Sequence, residues 1–200
     1  MNFGDLKSAI GTHYNHATVT SNAAMFVTLA ESDLRRDVRV QAMESKATGT
    51  MVAGVITLPS NFIEARNLVI DGYSIEYKTA EQFQEMETVG WATSGSAGRY
   101  FTRVGNTLEV LNGVSGSYSL QYYGAFSALS ADADTNWLLT YAPDVYLFKA
   151  LVYAAIFMKD SAAGQGYESI YQAAKDKTNY ADYLNKYSGS GLSIQASTYA

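Results

Sequence analysis

Two histidines stand one helical turn apart and are the first residues whose type and spacing suggest chemistry. His13 and His16 could bind a metal ion from one face of a helix. A metal site needs further ligands and a supporting shell of hydrogen bonds, and the sequence supplies no suitable set. We therefore expect two surface histidines and no metal.

The acidic segment at residues 132–136 resembles the first part of a calcium-binding loop. Asp132, Asp134 and Asn136 have the spacing of the first three ligands. The position that requires glycine is Trp137, however, and the position of the closing glutamate is Pro143. We expect helix capping here, by Asp134 or Thr135, in place of calcium binding.

Other catalytic arrangements lack essential members. The chain has no cysteine, which excludes disulfides, thiolate metal sites and cysteine nucleophiles. No Gly-x-Ser-x-Gly elbow is present, and no glycine-rich segment continues into the Gly-Lys-Ser/Thr of a phosphate-binding loop. Glu85 and Glu87 would point in different directions from a helix. The sequence therefore predicts no enzyme, no catalytic residue and no cofactor.

Composition narrows the class of protein further. With 200 residues and 48% apolar content the chain can enclose a hydrophobic core. The net charge of −5 and the absence of any basic run longer than Arg35-Arg36 argue against a protein that grips nucleic acid. Residues 1–10 do not resemble a signal peptide, and the longest apolar run, residues 145–158, is too short to cross a bilayer. We expect a protein made in the cytosol that does not enter a membrane.

Helical patterns occupy both ends of the chain. Apolar residues at spacings of three and four predict helices over residues 2–16 and from a cap at Ser21 or Asn22 to residue 37. Further helices are expected at residues 143–159 and, after a break at Gly164 to Gly166, to about residue 187. These segments predict one helical lobe.

The middle of the chain switches to the two-residue period of strands. Asp71-Gly72 and Gly105-Asn106 each separate two apolar runs and predict two-residue hairpins. Asn112 and Gly113 predict a third turn, and residues 79–89 predict a short helix with Thr79 and Gln82 as its capping box. The fold class predicted is α+β, with an antiparallel β-sandwich or barrel and one inserted helix at residues 38–126, and a helical lobe at residues 1–37 and 127–187.

The segment at residues 144–159 is apolar on nearly every side of its predicted helix. Such a helix must be covered all round, either by the other helices of the same chain or by neighbouring copies. Both explanations are open at this point. If copies cover it, Tyr146, Phe148 and Phe157 are the candidate partner-binding residues.

Residues 188–200 are rich in serine and glycine and predict a flexible tail. Leu192, Ile194 and Tyr199 are nearly alternate apolar residues, so the tail could add a strand to a partner. An inert terminus is the alternative.

Several motifs follow one another in an order that resembles a known family. The run Leu58-Pro59-Ser60-Asn61-Phe62 resembles the leucine-proline-x-asparagine/aspartate-phenylalanine motif of phage head-to-tail adaptor proteins. The matching motifs that follow lie at residues 68–72, 75–77, 121–123, 129–130, 135–139 and 143–151. The resemblance covers about residues 23–187, and its specificity lies in the order of motifs that are individually weak. The chain departs from the pattern at residues 92–98, which lack the usual proline.

The resemblance implies a structural virion protein of the neck or tail, similar to tail tubular protein A of short-tailed phages and assembled in the host cytoplasm. Its expected partners are the portal protein, a nozzle or other tail protein, and further copies of itself in a ring of twelve. DNA would pass through the channel without specific binding. The alternatives are another neck or tail component, such as a stopper or tube protein, and a carbohydrate-binding module that uses Trp91 and exposed tyrosines.

Overall fold

A computed structural model describes residues 1–89 and 100–188. The chain divides into two compact units, one made of Met1–Ala42 and Phe126–Ala200 and the other of Met43–Ala125. The first unit is helical over its described residues and the second is built mainly of strands, so the predicted α+β class is confirmed.

The helical unit begins with a capping box. The side chain of Asn2 accepts from the backbone N–H of Asp5, whose carboxylate accepts from the N–H of Asn2 in return. The cap of the short helix after the acidic segment is Asn136, and not Asp134 or Thr135, because its Oδ1 accepts from the backbone N–H of Leu139. The helices of this unit are α1 (Phe3–Tyr14), α2 (Ala17–Ser21), α3 (Ala23–Asp37), α5 (Trp137–Tyr141), α6 (Pro143–Met158) and α7 (Ser161–Tyr187).

The predicted break at Gly164 to Gly166 is wrong. The chain turns earlier, where Lys159 adopts left-handed φ/ψ and the carboxylate of Asp160 caps α7 by accepting from Ala163. A cap one turn upstream satisfies the first N–H groups, so the glycines fall inside the helix, where each is tolerated at a cost of about 1 kcal/mol relative to alanine.

Over its described residues, the second unit contains one seven-stranded sheet in the order β1-β7-β3-β4-β5-β6-β2. Its two edge strands, β1 and β2, are consecutive in the chain and are joined by a short turn with a bridge between Val52 and Val55. The sheet is therefore a nearly closed barrel whose interior holds Met51, Leu68 and Leu120. Its strands are β1 (Glu44–Met51), β2 (Val55–Thr57), β3 (Phe62–Ile70), β4 (Tyr73–Tyr77), β5 (Tyr100–Val104), β6 (Thr107–Val110) and β7 (Gly116–Gly124).

The two predicted hairpins turn at residues that tolerate a positive φ. Asp71 and Gly72 both have positive φ, as a type I′ turn requires, and join β3 to β4. Gly105 alone has positive φ in the turn between β5 and β6, which fits a type II′ turn. Both hairpins are confirmed, as is the turn at Asn112 and Gly113.

One pairing departs from the antiparallel prediction. Strands β4 and β5 pair in parallel, with Glu76 opposite Tyr100. Parallel neighbours need a long crossover, and α4 (Ala80–Thr88) lies within it. The capping box of α4, formed by Thr79 and Gln82, is as predicted.

Candidate functional site

Helix α6 is the central element of the helical unit. Val145, Ala150, Leu151, Ala154 and Ala155 are all buried along its length, and α6 packs against α1, α3, α5 and α7. The helices of the same chain therefore cover most of α6. Among the described residues, no helix is both long and apolar enough to cross a membrane.

Tyr146 is fully buried in this unit. Its hydroxyl accepts a hydrogen bond from Asn136 Nδ2 at 2.7 Å and lies 3.3 Å from Glu31 Oε1, to which it donates. Burial raises the pKa of this hydroxyl well above its ordinary value, and the neighbouring carboxylate adds to the shift. Tyr146 joins α6 to α3 and α5 and has no surface for a partner in the free chain.

Glu31 is the buried residue that the sequence analysis missed. Its Oε1 accepts from the backbone N–H of Leu129 at 3.0 Å, which holds the loop before α5 against α3. Burial raises the pKa of this carboxyl, although the Leu129 bond and the nearby Arg35 act in the opposite direction. Glu31 lies four residues after Val27 and three before Leu34, on the apolar stripe of α3, and this spacing is the signal that could have identified it.

Lys149, which interrupts the apolar run of α6, links three helices. Its Nζ lies 3.2 Å from Asp33 of α3 and 3.8 Å from Glu168 of α7. Burial alone would raise the pKa of Asp33, but hydrogen bonds from Tyr153, Arg36 and Lys149 together hold it below its ordinary value. Burial and the bond to Asp33 raise the pKa of Tyr153 to about 12. This ionic cluster fixes the packing of α3, α6 and α7.

The other two aromatic candidates on α6 differ in exposure. Phe148 is half-buried between His13 and Tyr167, whose ring centroids lie 6.2 and 6.4 Å away. Phe157 is 46% exposed, and its ring rests on Phe26 of α3 at 5.5 Å. Of the three predicted partner-binding residues in the described part of the chain, Phe157 has the most accessible surface.

Further exposed apolar residues lie next to Phe26 and Phe157 in the sequences of α3 and α6. Met25 and Leu29 lie one residue before and three residues after Phe26 and remain exposed, as does Ile156 beside Phe157. We call Met25, Leu29, Ile156 and Phe157 the α3–α6 patch. Exposed apolar residues on two helices that pack together are candidates for an interaction site.

A second apolar stripe runs along α7. Ile170, Ala173, Tyr180 and Leu184 recur at helical spacing and are exposed, with Lys177 among them. They do not share the face that buries Tyr171 and Ala174 in the unit core. The helical unit therefore carries exposed apolar residues on α7 as well as on α3 and α6.

The histidines and acidic residues that suggested metal binding instead make contacts within the helical unit. Nδ1 of His16 accepts from the backbone N–H of Thr18 and so caps α2, while the ring of His13 meets Phe148. Asp132 pairs with Lys7 at 2.5 Å, and Asp134 accepts from the backbone N–H groups of Ser130 and Ala131. In the parts of the chain that the structure describes, no three His, Asp or Glu side chains converge as a metal site would require.

The remaining predicted site residues, Leu192, Ile194 and Tyr199, lie outside the described residues, as does Trp91. The predicted flexible tail, except for its first residue Ser188, also lies outside the described residues. So do residues 92–98, where the sequence departs from the family pattern.

The family model described as SU10 adaptor protein matches residues 1–192. No curated protein matches the chain.

Proposed function

Because this chain belongs to the SU10 adaptor protein family, a family of phage adaptor proteins, we propose that it joins the portal at a capsid vertex to the tail. The family match over residues 1–192 is the observation that carries the proposal. In this role the protein is a virion component of the neck, assembled in the host cytoplasm, with the portal above it and a nozzle or other tail protein below. The finer resemblance to tail tubular protein A stays a prediction.

The adaptor acts as a ring of identical copies, for which we expect twelve. Each copy in a closed ring uses two different surfaces, because a head-to-tail contact pairs one face with another. The α3–α6 patch and the α7 stripe are two such apolar surfaces on one helical unit. They support self-association and make Phe157 the first candidate for the contact between copies.

A ring below the portal continues the DNA channel. The chain carries 14 basic and 19 acidic residues, which favours a channel that DNA crosses without being held. The role is structural and non-enzymatic, in keeping with a family of structural adaptors.

The experiment that tests this function compares the free chain with the chain mixed with portal from the phage that encodes it. Light scattering should give a monomer or weak oligomer alone, and negative-stain microscopy should show a symmetric ring added to the portal. A dimer of two-fold symmetry in both conditions would contradict the proposal.

We also propose that Leu192, Ile194 and Tyr199 bind the portal or a neighbouring adaptor. Nearly alternate apolar residues in a segment poor in charge are suited to adding a strand to a partner's sheet edge. Deleting residues 188–200 should reduce co-sedimentation with portal. Co-sedimentation at the wild-type level would identify the segment as an inert terminus.

A further inference from the structure

Strand β4 ends before its two neighbours do, which leaves an open slot in the wall of the second unit. Over the described residues, β4 pairs with β3 at residues 68–70 alone and with β5 at Tyr100 and Phe101 alone. The chain then turns away from the sheet, because Thr79 caps α4. Residues 62–67 of β3 and residues 102–104 of β5 therefore have no described strand between them.

The two strand edges enclose a cleft of about 400 Å³. Every one of residues 62–67 lines it on one side, and Arg103 of β5 lines it on the other. Nη1 of Arg103 donates to the carbonyl oxygen of Ile63 at 3.4 Å, so one side chain reaches across the cleft from β5 to β3. Phe101 and Leu108 of the barrel core also line the cleft, so its inner surface is apolar. A strand that continued the line of β4 would occupy this space.

The edge of β5 offers backbone groups to such a strand. The carbonyl oxygen of Phe101 accepts from the N–H of Lys78 at 2.8 Å, directly after β4 ends. Backbone groups on one edge of a strand recur every second residue, so the N–H and C=O of Arg103 are the next on this edge. Arg103 pairs with Leu108 of β6 on its other edge, and no described strand pairs with it here. An unpaired edge of this kind is a template for a further strand.

The side chain of Arg103 adds a positive charge in a fixed position. Its Nε donates to the carbonyl oxygen of Gly105 at 3.1 Å, and its guanidinium lies 5.0 Å from the ring centroid of Phe62. Within the described part of the chain Arg103 makes no ion pair, and its Nη2 remains for a further acceptor. A guanidinium held in place favours a carboxylate, which it can bind through two parallel hydrogen bonds. The other charged residues that line the cleft are Glu64 and Arg66.

We propose that this slot binds an extended acidic segment of a partner protein, which adds a strand between β3 and β5. Side chains two residues apart on a strand point to the same face, as Phe101 and Arg103 do on β5. The bound segment therefore places two side chains, two residues apart, in the cleft. One is apolar and packs against Phe101 and Leu108, and the other is an aspartate or glutamate that pairs with Arg103. The inference concerns the second unit and does not depend on the joining of portal and tail.

A synthetic peptide tests the proposal on the full chain. The probe, Lys-Thr-Ile-Thr-Asp-Thr-Val-Lys with a fluorescein label, has alternating side chains and carries isoleucine and aspartate two residues apart. Fluorescence anisotropy should show saturable binding. Replacing the aspartate with lysine should weaken it about tenfold, because the pair with Arg103 is lost. Replacing the central threonine with proline should also weaken it, because proline has no backbone N–H. Binding that does not saturate below about 1 mM, or that neither change weakens, overturns the proposal.

A charge exchange at Arg103 separates recognition from a loss of folding. Arg103→Glu should weaken binding of the aspartate peptide about tenfold and strengthen binding of the lysine peptide, a reversal that an unfolded chain cannot give. The matched control is Lys46→Glu, which makes the same change of charge on β1, outside the cleft, and should alter neither affinity. If Arg103→Glu binds both peptides as the natural chain does, the pairing with Arg103 is overturned.

Hydrogen exchange then locates the bound peptide. Saturating aspartate peptide should slow exchange at the amide of Arg103 and at residues 62–67, the two edges of the slot. Strand β1 is an edge of the same sheet and is the alternative place for strand addition. Protection confined to β1, with the slot amides unchanged, overturns the proposal.

Discussion

At the scale of single residues, the helical unit depends on a few polar groups within an apolar interior. Glu31 accepts from Leu129 and from Tyr146, and Lys149 pairs with Asp33 and Glu168. Buried polar groups of this kind stabilise a structure only while their partners remain, because an unpaired group retains its full desolvation cost. Each is therefore a sensitive position.

Replacing Glu31 with alanine should lower the free energy of unfolding by about 1–3 kcal/mol, because the Leu129 N–H and the Tyr146 hydroxyl both lose an acceptor. Glu31→Gln keeps an oxygen acceptor and should cost less. Urea unfolding followed by circular dichroism measures both variants. Equal losses would show that the hydrogen bonds are not the source of the stability.

The raised pKa of Glu31 also predicts a pH dependence. As the pH rises past the ordinary value of 4.5, the unfolded chain loses this proton first, which favours unfolding. The stability linked to the proton is complete below that pH and is lost as the pH rises towards the folded pKa. Glu31→Gln has no such proton, so its unfolding free energy relative to wild type should increase between about pH 4 and about pH 7. Parallel pH profiles would contradict the shift.

At the scale of elements, the features fixed by local chemistry were predictable and those fixed by distant contacts were not. Asp71, Gly72 and Gly105 set their hairpins through backbone conformation, and Thr79 with Gln82 set the start of α4. The parallel pairing of β4 with β5 depends on how the crossover returns, which no short motif encodes. The sequence predicted that α7 begins after Gly164 and Gly166, because glycine often ends a helix. The structure begins α7 at Ser161, since the side chain of Asp160 caps it there.

Two glycines provide a matched test of the element boundaries. A Cβ at Gly166 or at Gly72 would meet nothing within 4 Å, so neither site is crowded. Gly166 lies inside α7, and Gly166→Ala should raise the unfolding free energy by about 0.5–1 kcal/mol. Gly72 has a φ of +88°, so Gly72→Ala should lower it by about 1–2 kcal/mol. Thermal unfolding of both variants measures the difference, and a loss of stability in Gly166→Ala would contradict a continuous α7.

At the scale of the whole molecule, the ordered motifs indicated the family while the partner surfaces needed the structure. Residues 144–159 are apolar on nearly every side of the helix, so the sequence pattern could not predict which of their side chains are buried and which are exposed. The structure buries Tyr146, half-buries Phe148 and leaves Phe157 exposed on the same helix. Exposure depends on which helices pack where, and that is a property of the assembled unit.

This difference within α6 predicts a separation between folding and assembly. Phe157→Asp should retain most of the thermal stability, because the Phe157 side chain is 46% exposed. The same variant should weaken assembly of the twelve-copy ring on the portal at least tenfold, because loss of an aromatic anchor costs about 2 kcal/mol or more at an interface. Phe148→Asp should instead lower the unfolding temperature, because it places a carboxylate between His13 and Tyr167. Tyr73→Asp, at the exposed end of a hairpin in the other unit, is the matched aromatic control and should leave stability near wild type. Calorimetry and co-sedimentation with portal separate the two effects. If Phe157→Asp unfolds as readily as Phe148→Asp, the end of α6 is core and the α3–α6 patch is not the contact between copies.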